Sequence, residues 1–242
     1  MKFKAIRLKL YQPSANYRKP YDFSSRESYP LPPYSTVIGM IHNLCGFTEY
    51  HPMKLSISGT YASTHRNMFR AYAYGSIPRG RTGVIDIQGQ QVSQGVSHVQ
   101  VLDDVNLIIH IVPEDNNDFD VIYNALKHPR EYPSLGRHED DVIFKSVDIV
   151  SLDNKELDED MDIEAGFYIP AWDIDKLDLT DEDESGVRGT SFKINKNYEL
   201  IKHSKQVYRD WHRIPVLYAS GFTINEGEEV LVDQDNLPVM LA

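Results

Sequence analysis

The spacing of apolar residues changes along the chain between the period of strands and the period of helices. Residues 2–11 alternate aliphatic with basic side chains, which predicts a strand with Arg7 and Lys9 on the face opposite its aliphatic residues. Residues 35–45 repeat apolar side chains every three or four positions and are followed by Gly46, which predicts a helix that ends there.

The same periods continue to about residue 150. Apolar patterns predict further strands at 54–63, 98–112 and 142–150 and a helix at 117–127. The resulting order is βαββαβ, which is the split-βαβ arrangement shared by RNA-recognition modules. The sequence therefore predicts an α+β fold whose residues 1–150 form a ferredoxin-like (RRM-like) domain.

One segment is too long for a simple hairpin turn. Residues 64–97 separate the second and third predicted strands, whereas such turns need about two to five residues. The part "THRNMFRAYAYGSIPRGRTG" contains no acidic residue and interleaves arginines with aromatic residues. Guanidinium groups pair with phosphates and aromatic rings stack on bases, so this composition favours binding to single-stranded nucleic acid.

The pattern differs after residue 150. Residues 153–164 and 173–184 are strongly acidic and are predicted to be solvated loops, while 191–200 and 214–232 have the composition of strands interrupted by turns. Residues 151–242 are therefore predicted to form a smaller, β-rich C-terminal domain.

Charge is distributed unevenly. The net charge is −11, yet residues 1–100 hold 12 lysines and arginines against 4 acidic residues, whereas residues 151–185 hold 2 against 14. The basic first part is compatible with a nucleic-acid partner despite the acidic total.

A single cysteine, Cys45, and the lack of a signal peptide or an apolar run of about 20 residues predict a cytoplasmic protein without a membrane segment.

The segment "YPLPPYST" has two interpretations. In the first, the prolines form a stiff connection, and Ser35 or Thr36 caps the following helix with its hydroxyl oxygen. In the second, the unpaired N–H groups and the dipole of the helix start also bind a phosphate. Both interpretations are compatible with each other.

Two further loops carry cations. "SANYRKP" (residues 14–20) is either a polar surface loop or a second wall of a backbone-binding groove. "YPSLGRHED" (residues 132–140) contains Gly136, which permits a left-handed turn from which Arg137 projects. No catalytic triad, phosphate-binding glycine loop, paired carboxylates or metal-ligand spacing stands out, so the sequence predicts a binding surface with no catalytic residues, metal or cofactor.

Together, "SANYRKP", "ESYPLPPYSTVIGMIHNLCG" and "YPSLGRHED" resemble the fifth CRISPR-associated protein family (Cas-five) of the RAMP superfamily. The close resemblance covers about fifty residues near the N-terminus and includes the helix glycine, Gly39; Tyr34 replaces a proline of the pattern. The resemblance implies a thumb-like hairpin at 64–97 and a non-catalytic subunit of a type I Cascade effector, closest to type I-B. Such a subunit caps the 5′ handle of the crRNA, joins the large subunit to the backbone RAMP subunit, and reaches target DNA only through the complex.

The expected RNA-binding residues follow from these motifs. Cations are expected to contact phosphates, aromatic rings to stack on bases, and the start of the first helix to hold a backbone phosphate. The predicted residues are Tyr17, Arg18, Lys19, Tyr29, Ser35, Thr36, Arg66, Phe69, Arg70, Tyr72, Arg79, Arg81 and Arg137.

Two other functions are compatible with the sequence. The first is a metal-independent endoribonuclease that processes precursor crRNA, with His42 or His138 as general acid or base. The second is a protein-interaction scaffold in which the acidic residues 151–185 dock a basic partner.

Overall fold

The computed structural model describes residues 2–21, 25–74, 84–88, 90–174, 189–204 and 206–242. Its helices and strands are, in chain order, β1 (Phe3–Ala15), α1 (Tyr34–Cys45), β2 (Met53–Thr60), β3 (Ser63–Tyr74), β4 (Val84–Ile87), β5 (Gln90–Pro113), α2 (Asn116–Lys127), β6 (Ile143–Glu156), β7 (Met161–Ile163), β8 (Gly166–Pro170), β9 (Thr190–His203), β10 (Gln206–Ala219), β11 (Phe222–Ile224) and β12 (Glu229–Asp233).

An antiparallel sheet connects most of the strands. Its order is β12-β6-β1-β5-β2-β8-β10-β9, with β3 and β4 paired to the first half of β5. The aliphatic side of β1 packs against apolar residues of both helices in the main hydrophobic core. The architecture is therefore α+β, with a mostly antiparallel sheet and two helices.

The helices and strands predicted in the first 150 residues are all present, and their bounds agree within a few residues except at the start of β5 and the end of β6. The predicted helix at 35–45 is α1, and Gly46 ends it in the left-handed conformation at φ 73°. The helix predicted at 117–127 is α2, which is capped by the carboxylate of Asp115 through the backbone N–H of Asn117. The strand predicted at 98–112 is longer than expected, because β5 extends back to Gln90 and pairs with β3.

The long hairpin formed by β3, β4 and the first half of β5 covers most of the predicted thumb segment, residues 64–97. We call it the thumb hairpin. The register pairs Arg66 with Gln100 and Tyr72 with Gln94. Residues 75–83 of this segment lie outside the described residues.

The opposite face of the sheet is covered by the end of the chain. Arg7 lies on this face, as predicted, but it is buried, and its guanidinium contacts Asp233 at 2.6 Å and Asp235 at 2.5 Å. His110 also contacts the Asp233 carboxylate, at 3.2 Å. Burial alone raises the pKa of Asp233, but hydrogen bonds from His110, from the Leu237 backbone N–H and from Arg7 outweigh it and hold that pKa well below its usual range.

The predicted acidic loops are partly wrong. Residues 153–164 include the end of β6 and the short strand β7, whose Ile163 is buried. The strand predicted at 191–200 is part of β9, while β10 begins at Gln206, eight residues before the strand predicted at 214–232. Residues 175–188, in the second acidic segment, lie outside the described residues.

Most strands after residue 150 continue the same sheet, whereas β7 and β11 form a separate two-stranded sheet. β8 pairs with both β2 and β10, and β12 pairs with β6, within which residue 150 lies. The division into domains at 1–150 and 151–242 stays a prediction. Of the helices that the structure describes, none has the length and apolar character required to cross a membrane.

Candidate nucleic-acid interface

The first and third sequence motifs meet at Asn16, immediately after β1. The buried Asn16 side chain donates hydrogen bonds from Nδ2 to the carbonyl oxygens of Arg26 (3.0 Å) and Gln100 (2.7 Å). Its backbone N–H donates to the Asp140 carboxylate at 3.0 Å. Asn16 therefore links the first loop to both the base of the thumb hairpin and the third motif.

Ser28 anchors the second motif to the first. Its hydroxyl accepts a hydrogen bond from the Tyr17 backbone N–H at 2.9 Å, and its own N–H donates to the side-chain oxygen of Gln100 at 3.1 Å. The N–H of Tyr29 donates to the Tyr17 carbonyl at 2.8 Å. These bonds hold the loop as a short antiparallel pair beside the proline segment.

Asp140 organises the third motif. Its side chain is fully buried and accepts hydrogen bonds from the Arg137 backbone N–H (2.9 Å) and guanidinium (2.6 Å). Gly136 adopts φ 111°, as the predicted turn requires. The Arg137 side chain is 29% exposed and forms ion pairs with Asp140 and Glu139, and its contact with a phosphate stays a prediction. The hydrogen bond to Asp140 outweighs burial and raises the pKa of Arg137.

The prediction that Tyr17 and Tyr29 stack on bases is wrong in this structure. Both rings are in the core, at 1% and 3% exposure. The Tyr17 hydroxyl donates to the Gln12 side chain at 2.6 Å, and burial raises the Tyr17 pKa. The Tyr29 ring packs edge-on against the Phe192 ring, with 5.4 Å between the ring centres. Tyr29 therefore packs the start of the second motif against β9.

The predicted helix cap is also wrong. α1 begins at Tyr34, the capping position is Pro33, and no side chain caps the helix. The Thr36 N–H donates to the Pro33 carbonyl at 2.9 Å. Ser35 and Thr36 are half-buried and line a groove beside the helix.

The cations of the first loop differ in their surroundings. Arg18 is exposed. Lys19 forms an ion pair with Glu27 at 3.1 Å, and its ammonium lies 5.9 Å from the centre of the Phe192 ring. The loop thus contacts β9 as well as the thumb hairpin.

The described part of the thumb hairpin presents an exposed cationic face. Arg66, Arg70 and Tyr72 occupy alternate positions of β3, so they share one face of the hairpin, and all three are exposed. Neither arginine forms an ion pair with any residue that the structure describes. Arg79 and Arg81 lie outside the described residues.

Phe69 lies on the other face of the thumb hairpin. The Arg26 guanidinium covers its ring at 4.5 Å from the ring centre, which leaves Phe69 half-buried. Arg26 is not among the residues predicted from the sequence. Its position directly before the second motif could have indicated that it belongs to the interface.

Sequence reasoning also missed a groove between α1 and the β9–β10 hairpin. The groove has a volume of about 680 Å³, and its walls carry aromatic and cationic side chains from residues 196–211. Tyr198 and Trp211 lie opposite each other with ring centres 5.0 Å apart. The alternation of aromatic residues and cations in "KNYELIKHSKQVYRDWHR" resembles that of the thumb segment and could have indicated it.

The two histidines of the alternative enzyme belong to two different motifs, His42 to the second and His138 to the third. His42 is half-buried, its Nε2 lies 3.3 Å from the His51 carbonyl oxygen, and burial lowers its pKa. His51 Nδ1 contacts the Asp118 carboxylate at 2.8 Å. His138 is exposed.

Comparisons with known proteins identify related chains. The sequence profile of the family described as "CRISPR-associated protein (Cas_Cas5)" matches residues 5–213. A solved chain described as "CRISPR RNA-guided surveillance complex" is 17% identical, with a TM-score of 0.54 and 90% of each chain covered.

Two further solved chains are similar at lower scores. "Crystal structure of a CRISPR protein from Archaeoglobus fulgidus" is 11% identical over 99% of both chains, with a TM-score of 0.46. A chain of the Type III-B Cmr-beta complex is 14% identical, covers 90% of this chain and 86% of that one, and has a TM-score of 0.43. These two similarities are too weak to carry an argument. No curated protein matches the chain significantly.

Proposed function

The chain belongs to the CRISPR-associated protein family Cas5, and from this membership we propose that it is a non-catalytic crRNA-binding subunit of a type I Cascade effector. In this role it caps the 5′ handle of the crRNA and joins the large subunit to the backbone RAMP subunit in antiviral defence. Target DNA is reached only through the assembled complex. The subunit works in the cytoplasm and needs no cofactor.

The observation that carries the proposal is the exposed face of the thumb hairpin. Arg66 and Arg70 leave their guanidinium groups in solvent without an acidic partner among the described residues, and Tyr72 on the same face is 46% exposed. Guanidinium groups bind phosphates in a bidentate manner, and an aromatic ring at the next alternate position can stack on a base. A single RNA strand that lies along this face would contact both the guanidinium groups and the Tyr72 ring.

The strand order supports the assignment to the RAMP superfamily. We infer that β6-β1-β5-β2, which are antiparallel neighbours in that order, form a ferredoxin-like sheet with α1 and α2 as its two helices. The thumb hairpin then arises between the second and third strands of this unit, beside the loop that Asn16 holds.

Replacing Arg66 and Arg70 together by alanine tests the proposal. The affinity for single-stranded RNA with the repeat-derived 5′ end is measured at several salt concentrations. Each phosphate contact contributes about 0.7 to the slope of log K against log salt, so we expect the slope to fall by about 1.4. Lys4→Ala with Lys155→Ala removes two exposed cations near the other end of β1 and is the matched control. An unchanged slope in the arginine variant would falsify the assignment of this face.

One contact favours the endoribonuclease as a second candidate function. An aspartate that orients a histidine is a common element of acid-base catalysis, and Asp118 holds His51 beside His42 and the groove. Incubating the protein with labelled repeat RNA, with and without EDTA, tests this candidate. Specific cleavage that His51→Ala abolishes would replace the non-catalytic role.

A further inference from the structure

The groove between α1 and the β9–β10 hairpin joins the helix of the second motif to residues that belong to none of the three motifs. One wall is the exposed side of α1, including Ser35 and Gly39, and the other is one face of the hairpin. At about 680 Å³ it is within the size range of sites for small organic ligands, about 300–1,000 Å³. A base with its sugar and phosphate is a ligand of this class.

The hairpin wall offers a stacking surface. Trp211 and Tyr198 are cross-strand partners, and two residues further along their strands Arg209 is paired with Leu200, so all four side chains share one face. The Arg209 guanidinium lies 4.6 Å from the centre of the Tyr198 ring. The two rings are inclined at 62° to each other, so an unpaired base can stack on one ring while the other ring and the guanidinium flank it.

The groove also favours an anion. Lys196 is half-buried in its wall and forms no ion pair with any described residue. Burial lowers the pKa of Lys196, while Glu114 opposes this from a distance. A partly desolvated ammonium without an ion-pair partner is stabilised by a ligand phosphate. Glu49 is the acidic residue among the lining side chains.

Gly39 leaves space in the helix wall. Glycine within a helix is less favourable than alanine. Within the described part of the chain no packing contact requires it, because a Cβ built at Gly39 would meet no atom within 4 Å. A glycine here lets a ligand approach the helix backbone closely.

We propose that this groove binds one unpaired base of single-stranded RNA against Trp211 and Tyr198, with the adjoining phosphate on Lys196 and Arg209. The inference rests on the proposed RNA-binding function and adds a second contact to it. The first loop and the second motif both contact β9, since Lys19 and Tyr29 pack against Phe192, and Asn16 of the first loop bonds to Gln100 of β5 at the base of the thumb hairpin.

Tryptophan fluorescence provides a direct test. The chain has two tryptophans, and Trp172 lines a different cavity, so Trp172→Phe leaves Trp211 as the sole reporter. We expect single-stranded RNA with the repeat-derived 5′ end to quench this variant strongly. Trp211→Phe retains an aromatic ring and keeps only Trp172, so it is expected to bind the RNA with unchanged fluorescence.

A variant that fills the groove tests the same site without removing its aromatic platform. Methionine at position 39 favours the helix more than glycine does and occupies the groove, so Gly39→Met is expected to keep its thermal stability and weaken RNA binding about tenfold, the effect of losing about one stacked base. Gly39→Ala adds only a small side chain and is the control.

The outcomes separate the two proposals. Quenching of Trp211 together with weaker binding by Gly39→Met supports the groove. RNA binding that leaves Trp211 unquenched and is equally tight in Gly39→Met overturns the groove, while the Arg66 and Arg70 variant still reports on the thumb hairpin. Failure of the unmodified chain to bind the RNA overturns both.

Discussion

The guanidinium of Arg137 lies 2.6 Å from the buried carboxylate of Asp140. The same carboxylate accepts hydrogen bonds from the backbone N–H groups of Arg137 and Asn16. A residue predicted to bind RNA therefore has an architectural role in joining the first and third motifs.

Asp140→Ala is expected to lower the free energy of unfolding by about 2–4 kcal/mol. The substitution leaves the buried N–H of Asn16 without its acceptor and removes the partner of a half-buried guanidinium. Urea unfolding followed by circular dichroism measures this loss. Asp141→Ala removes an exposed carboxylate from the next position and should change stability by less than about 0.5 kcal/mol. Equal losses in both variants would contradict the role of Asp140.

Gly136→Ala is expected to destabilise the fold by about 1–3 kcal/mol. Its φ of 111° is unfavourable for alanine, and the added Cβ would lie 2.9 Å from the Asp140 carboxylate and 3.0 Å from the Asn16 carbonyl oxygen. Gly221 also has positive φ, 66°, but its Cβ would meet no atom within 4 Å. Thermal unfolding of the two alanine variants compares backbone strain combined with close contacts, in Gly136→Ala, with backbone strain alone, in Gly221→Ala. A larger loss for Gly221→Ala would disprove the explanation.

Stability should depend on Asp233 at acidic pH. The pKa of Asp233 is lower in the folded chain than the value of about 3.9 in an unfolded chain, so folding favours its ionised form. This contribution is complete above about pH 5 and is lost as the pH falls through the folded pKa. Asp233→Asn is expected to cost about 3 kcal/mol at pH 7 and to lose less stability than the wild type between pH 5 and pH 3. Urea midpoints across this range measure both effects. If the midpoints of the wild type and of Asp233→Asn changed in parallel with pH, the acid dependence would not come from Asp233.

Gly39→Ala is expected to stabilise the isolated chain by about 1 kcal/mol, because alanine is the better helix former and its Cβ meets no neighbour. Differential scanning calorimetry at neutral pH provides the measurement. Gly46→Ala, at the left-handed end of α1, is the opposite control and should destabilise the chain. A loss of stability in Gly39→Ala would mean that its position serves packing.

The fold was predictable where local periodicity determines it. The pattern of β1 and α1 reflects burial on one side of each element, and both are found within a few residues of their predicted bounds. The ion pair of Arg7 could not be predicted in this way, because Asp233 lies 226 positions further along the chain and no local pattern links the two residues.

The candidate site was predictable to a smaller extent. The motifs were found from the sequence. The roles of Tyr17 and Arg137, however, depend on their buried partners Gln12 and Asp140, and the sequence pattern does not show these contacts. The groove was missed because its walls, at Gly39 and Trp211, are joined only by the packing of α1 on β9 and β10. Arg66 and Arg70 were easier to place, since alternation along one strand keeps them on the same face.

The pairing of Arg7 with Asp233 also constrains the order of events during synthesis. β1 emerges early from the ribosome, but its partners β5 and β6 emerge later, and the carboxylate that neutralises Arg7 comes later still. Until β5 and β6 have been synthesised, β1 is a strand with two open edges, a situation that favours aggregation.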